Sequence, residues 1–194
     1  MEDFMSETTN TTNKTASRNT VRQLAFCGIC IALATVTSFL KLASLPFGGS
    51  ITLFSMLFIS LTGYFFGART GIIAGIAYGV LQFILGPYIY APIQVLLDYP
   101  LAFGALGLSG FFCNKKYGLI TGYAVGVIGR YLCHVISGYV YFGSYAPEGM
   151  NPLVYTLGYN LTYILPEMIA TIIILCIPAI QKALLNMKRQ MNNQ

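Results

Sequence analysis

Along the chain, long apolar runs alternate with short polar punctuation. Hydrophobic stretches fall near 22–41, 50–67, 70–86, 92–112, 118–141 and 154–180, separated by Gly, Pro or charged residues. A helix needs about 20 apolar residues to cross a hydrocarbon core of about 30 Å, so the pattern predicts an all-α, polytopic membrane protein with a bundle of six transmembrane helices. The second and third runs are short and diluted by Gly63, Gly67, Gly71 and Gly75, which leaves five spans as the alternative count. Ahead of the first run, residues 1–21 read as a polar tail without the apolar centre of a signal peptide. Residues 22–181 then form the membrane domain, and residues 182–194 a basic tail.

Composition narrows the class further. Of 194 residues, 56% are hydrophobic and only 9% charged, against about a quarter charged in soluble domains. Little chain remains outside the apolar runs for a soluble catalytic domain, so function has to sit among the helices. The net charge of +5 is a topology signal rather than a nucleic-acid footprint. With six spans, Lys14, Arg18, Arg22, Arg69, Lys115, Lys116, Lys182, Lys188 and Arg189 share one side of the bilayer and Lys41 stands alone on the other. An excess of Lys and Arg marks the cytoplasmic side, which predicts that both termini are cytoplasmic. Cys27 and Cys30 lie inside an apolar run with no His nearby and read as small lipid-compatible side chains, so neither a metal nor a cofactor is expected.

Three charges fall inside the runs and need a reason to be there: Asp98, Arg130 and Glu167. The fourth run heads inward from about Pro92, so Asp98 lies about 9 Å below the outer boundary at about 1.5 Å per residue. The fifth heads outward, with Arg130 near mid-depth and His134 about 6 Å further out; Arg130, His134 and Gly138 share one face at i+4 spacing. The sixth heads inward and carries Tyr155, Tyr159 and Asn160 in its outer half, with Tyr163 and Glu167 on the Asn160 face. With Tyr88, Tyr90 and Gln94 around the third loop, these groups form a polar, aromatic, ligand-sized pocket facing outward. Its near-surface carboxylate suits a small cationic ring system, to which aromatic faces add about 0.5–2 kcal/mol of cation–π attraction. Two structural readings stand beside the functional one: Asp98 paired with Arg130, or Arg130 paired with Glu167 at similar depth.

The strings LPFGGSITLFSML, GPYIYAPIQVLLDYPLAFGALG, GRYLCHVISGYVYFGSYAPEGMNP and YNLTYILPEM resemble the thiamine-specific S components (ThiT/YuaJ family) of energy-coupling factor vitamin importers, over roughly residues 22–180. The resemblance places the family's binding carboxylate on Asp98, followed by Tyr99, its histidine on His134, and its tyrosine and asparagine on Tyr155 and Asn160. It places a loop tyrosine on Tyr88, a close-approach glycine on Gly138, a basic position on Arg130, and aromatic partners on Phe142 and Phe47. Asp98 is one methylene shorter than the Glu of some members, and Phe142 stands where some carry Trp. The resemblance further implies thiamine as ligand, a transmembrane coupling subunit and two ATPase subunits as partners, and a small-x-x-x-small contact surface on the first helix. Gly28 with Ala32 supplies that spacing, and Cys30 with Ala34 an adjacent register.

No G-x-x-x-x-G-K-[ST], H-E-x-x-H or G-x-S-x-G string occurs, so the sequence predicts a ligand-binding, non-enzymatic membrane subunit. Two alternatives remain open: a self-sufficient secondary transporter relaying ions through Glu167 and Arg130, and a small intramembrane enzyme using His134 and Asp98 as an acid–base pair.

Overall fold

The computed structural model describes residues 2–45 and 49–192. Its elements are α1 (Glu2–Phe39), the hairpin strands β1 (Ala43–Ser44) and β2 (Ser50–Ile51), α2 (Ser55–Phe66) and α3 (Ala68–Leu85). There follow α4 (Pro92–Phe112), α5 (Gly118–Phe142), α6 (Pro152–Leu175) and α7 (Pro178–Asn192). Among the described residues, five stretches are long and apolar enough to cross a bilayer: Asn19–Phe39 of α1, then α3, α4, α5 extended to Tyr145, and α6. The protein is therefore an all-α bundle with the character of a membrane protein.

The second apolar run differs from its expected form. Helix starts at Ser55 rather than at residue 50, and α2 has 12 residues, about 18 Å at about 1.5 Å per residue. Ahead of it, the Gly49 N–H donates to the Tyr159 hydroxyl at 3.1 Å, and the Thr52 hydroxyl donates to Glu167 Oε2 at 2.7 Å. Both acceptors are on α6, so residues 49–54 run alongside α6 as non-helical chain before α2 begins. Backbone of that kind survives at membrane depth only where protein covers it.

At the junction, Phe54 sits in the left-handed region (φ 62°) and gives α2 no side-chain cap. Glu167 supplies the cap from outside. Its Oε1 accepts from the Ser55 hydroxyl and from the Met56 N–H, both at 3.2 Å. A carboxylate there satisfies orphan N–H groups and complements the positive end of the helix dipole.

The fourth span is also irregular. Residues Leu97–Leu101 form a π-turn containing Pro100, and Leu106–Phe112 tighten into a 3₁₀ segment. Proline has no N–H to donate, and single π-turns recur at functional sites; Asp98 lies on this one.

The glycines that weaken the second and third runs as hydropathy signals are packing surfaces. A Cβ on Gly71 would stand 2.9 Å from Gly107 Cα, and one on Gly107 would run into the backbone of Ile72. Helices α2, α3 and α4 therefore meet backbone to backbone, as small residues permit in membranes.

The chain's two ends also depart from expectation. The helix of α1 continues through the polar stretch ahead of residue 22. The last span closes at Leu175 rather than 180, because Pro178 interrupts the ladder and opens the separate amphipathic α7. Leu184 and Met191 of α7 pack on the core while Lys182 and Arg189 are exposed.

Candidate ligand-binding site

Below the β1–β2 hairpin a cavity of about 290 Å³ opens among α1, α3, α4, α5, α6 and residues 49–55. All nine expected site residues that the structure describes line it: Tyr88, Asp98, Tyr99, Arg130, His134, Gly138, Phe142, Tyr155 and Asn160. Phe47 lies outside the described residues.

Asp98 is the hub. Its Oδ2 accepts from Gln94 Nε2 at 2.7 Å and from the Ser137 hydroxyl at 2.8 Å, while Oδ1 lies 3.0 Å from His134 Nδ1. Arg130 Nε–H donates to His134 Nε2 at 3.3 Å. An arginine N–H cannot accept, so Nε2 carries the lone pair and Nδ1 the proton, which His134 donates to Asp98. The imidazole is thus neutral, and the carboxylate has three donors around it.

The expected alternatives for Arg130 are corrected by this geometry. Its guanidinium stacks 4.2 Å from the Phe103 ring centroid and pairs with neither Asp98 nor Glu167; Asp98 is bonded by the neutral His134 instead. The helix end of α2 serves as Glu167's counter-charge, which removes its need for a cation.

A carboxamide ties the third loop to the hub. Gln94 Oε1 accepts from the Tyr90 N–H at 3.0 Å, and its Nε2 donates to Tyr88 O at 3.2 Å as well as to Asp98. The Tyr99 hydroxyl accepts from the Tyr88 N–H at 2.9 Å and donates to Gly86 O at 3.1 Å. This loop holds the Tyr88 ring 5.8 Å from that of Phe142. Tyr90 packs on Phe142 at 5.4 Å and stands outside the lining.

On α6, Asn160 Nδ2 donates to Thr156 O at 2.9 Å and its Oδ1 accepts from the Tyr163 hydroxyl at 2.5 Å. Gly138 lets α5 come this close, since a Cβ there would strike the Thr156 methyl. Tyr155 stacks on Tyr159 at 6.2 Å.

Several lining groups escaped the sequence reading, among them Ser137, Thr52, Tyr78 and Gln82. Tyr78 and Gln82 stand at i+4 and bond to each other, with Tyr78 also donating to Ala34 O and Gln82 to Ser38. That spacing was available as a signal, whereas Thr52 depends on the non-helical approach to α2.

Gly28 and Ala32 lie on the face of α1 that the bundle leaves open, with nothing within 4 Å of a Cβ built on Gly28. Cys30 and Ala34 are 3% and 0% exposed and belong to the internal packing.

A helical membrane bundle with a charged, aromatic cavity among its spans belongs to the class of small-solute membrane proteins. The profile of the thiamine transporter protein family (Thia_YuaJ) matches residues 24–187, and the chain belongs to that family. It is 37% identical over 148 residues to the thiamine transporter ThiT of Bacillus subtilis, covering 69% of this chain and 77% of that one. To ThiT of Lacticaseibacillus paracasei it is 32% identical over 104 residues, covering 45% and 52%. A solved structure of ThiT from Listeria monocytogenes superposes with a TM-score of 0.65 at 27% identity, covering 79% of this chain and 92% of that one.

Proposed function

We propose that the chain is the thiamine-capturing S component of an energy-coupling factor importer. The observation that carries this reading is the Asp98 hub: a carboxylate, held by Gln94, Ser137 and neutral His134, facing a cavity walled by tyrosines and Phe142. A cationic thiazolium finds there one fixed negative charge and aromatic faces. The aminopyrimidine finds hydrogen-bonding partners in Asn160, Tyr155 and Arg130.

Orientation follows from charge. The Gln23–Thr70 hydrogen bond and the Lys188–Cys113 contact gather Arg22, Arg69, Lys115, Lys116 and α7 at the end opposite the hairpin. By the positive-inside rule that end is cytoplasmic, so the cavity faces the outside of the cell membrane. The hairpin, tied down through Gly49 to Tyr159, covers it.

Binding is this chain's part and ATP hydrolysis belongs to its partners: a transmembrane coupling subunit and two ATPase subunits. The open Gly28–Ala32 face of α1 supports a contact with the coupling subunit, because small residues let another helix approach closely.

Calorimetric titration of the purified protein with thiamine tests the site. Nanomolar-to-micromolar binding, weakened roughly 30-fold in Asp98→Asn and likewise weakened in His134→Ala, is the expected result, and no binding by the wild type overturns the substrate. Proteoliposomes test the mechanism: uptake by this chain alone would establish a secondary transporter, and chemically altered ligand an enzyme. Gly28→Leu should preserve binding and abolish uptake in the reconstituted complex.

A further inference from the structure

At the basic end of the bundle lies a second cavity, of about 310 Å³, between α7 and the turn joining α4 to α5. Lys115, Lys188 and Arg189 line it together with Tyr64, Cys113 and Leu185, and no carboxylate is among its described lining residues. Such a wall repels itself.

Lys188 is the most constrained of the three cations. Its ammonium donates to the Cys113 carbonyl and sits 4.0 Å from the centroid of the Tyr64 ring. An ammonium has three donors, so this leaves N–H groups for a ligand. Burial holds it below the usual lysine range, a penalty that a neighbouring anion relieves. Lys115 is anchored 4.9 Å over the Phe112 ring, and Arg189 is exposed at the rim.

We propose that this cavity binds the phosphate of an anionic phospholipid headgroup. Charge complementarity favours a phosphate, which accepts bidentate bonds from Arg and point-charge bonds from Lys. Placement selects the lipid over a free ion. The cavity opens where the apolar spans end, and Phe111, Tyr117 and Ile177 are exposed at 66%, 64% and 44%, offering apolar surface to acyl chains. Amphipathic basic helices lying in the interface bind anionic leaflets through this combination. The site is independent of the vitamin cavity.

The test uses the full chain released from mixed phosphatidylcholine and phosphatidylglycerol vesicles, with bound lipid counted by native mass spectrometry. Wild type should retain phosphatidylglycerol selectively. K115Q/R189Q, which alters only side chains at the cavity's accessible edge, should lower that selectivity roughly 30-fold, as two charges at an anionic surface imply. The charge-keeping K115R/R189K should restore it, and K182Q, on the exposed side of α7, should leave it unchanged. Equal retention of both lipids, unchanged selectivity in K115Q/R189Q, or displacement of the lipid by inorganic phosphate would each overturn the assignment. A K115Q/R189Q protein that retains its helicity and melting temperature in phosphatidylcholine excludes misfolding as the cause.

Discussion

At the hairpin end, α4, α5 and α6 are joined by polar side chains: Asp98 to Ser137 and His134, Asn160 to Thr156 and Tyr163. At the basic end, α2, α3 and α4 touch through backbone, with Gly63, Gly71 and Gly107 leaving no room for a Cβ. The open end, where the cavity lies, relies on polar bonds, and the closed end on the lack of side chains. Hydrocarbon favours both solutions, because unpaired polar groups are costly there and close backbone contact is the main source of helix association. The cavity thus lies among polar contacts, away from the glycines that pin α2, α3 and α4.

If the closed end does the pinning, a side chain inserted there should have the largest effect. Gly107→Val should destabilise the fold by about 3 kcal/mol or more, through collision with the Ile72 backbone. Gly28→Val, where a Cβ meets nothing, should leave thermal melting in detergent unchanged; equal losses in both would break the contrast.

At the open end, Asp98→Asn should cost about 2 kcal/mol of thiamine binding, roughly 30-fold, by removing a charged partner. Its melting temperature should fall less than that of Gly107→Val. A collapse of the fold instead would make Asp98 a structural strut.

Between the two ends, Glu167→Ala removes the cap of α2 and should cost about 1.5 kcal/mol of stability in a denaturation titration. Glu167→Gln, which still accepts hydrogen bonds, should cost less. The reverse order would point to charge pairing rather than capping. The smallest effect sharpens the aromatic wall: Phe142→Trp should tighten thiamine binding about two-fold, as a better cation–π partner.

The same two ends explain what was legible in the sequence. Asp98, His134 and Asn160 stood out because charges and amides are rare in apolar runs, and i+4 spacing with helix direction put them at one depth. Helix direction also put Tyr155 and Tyr88 near the pocket, and the resemblance then singled them out, with Phe142, from the many interfacial aromatics. The closed end was illegible for the opposite reason. Glycine lowers hydropathy while improving packing, so Gly63 and Gly71 blurred the very helices they lock together. Helical periodicity also could not reveal the Glu167 cap, since Thr52 and Ser55 lie more than a hundred residues upstream and reach it through non-helical chain. Depth alone pairs Arg130 with a carboxylate, whereas the fold sets its guanidinium over the Phe103 ring.

The lead-in to α2 also bears on how the chain is made. An apolar helix of 12 residues is too short to settle across a bilayer by itself. Its preceding segment finds its hydrogen-bond partners on Tyr159 and Glu167, in α6, a span made long after α2. The second apolar segment therefore completes its placement only after α6 has been made. A nascent chain truncated before α6 should present that segment unanchored to the insertion machinery and to membrane proteases.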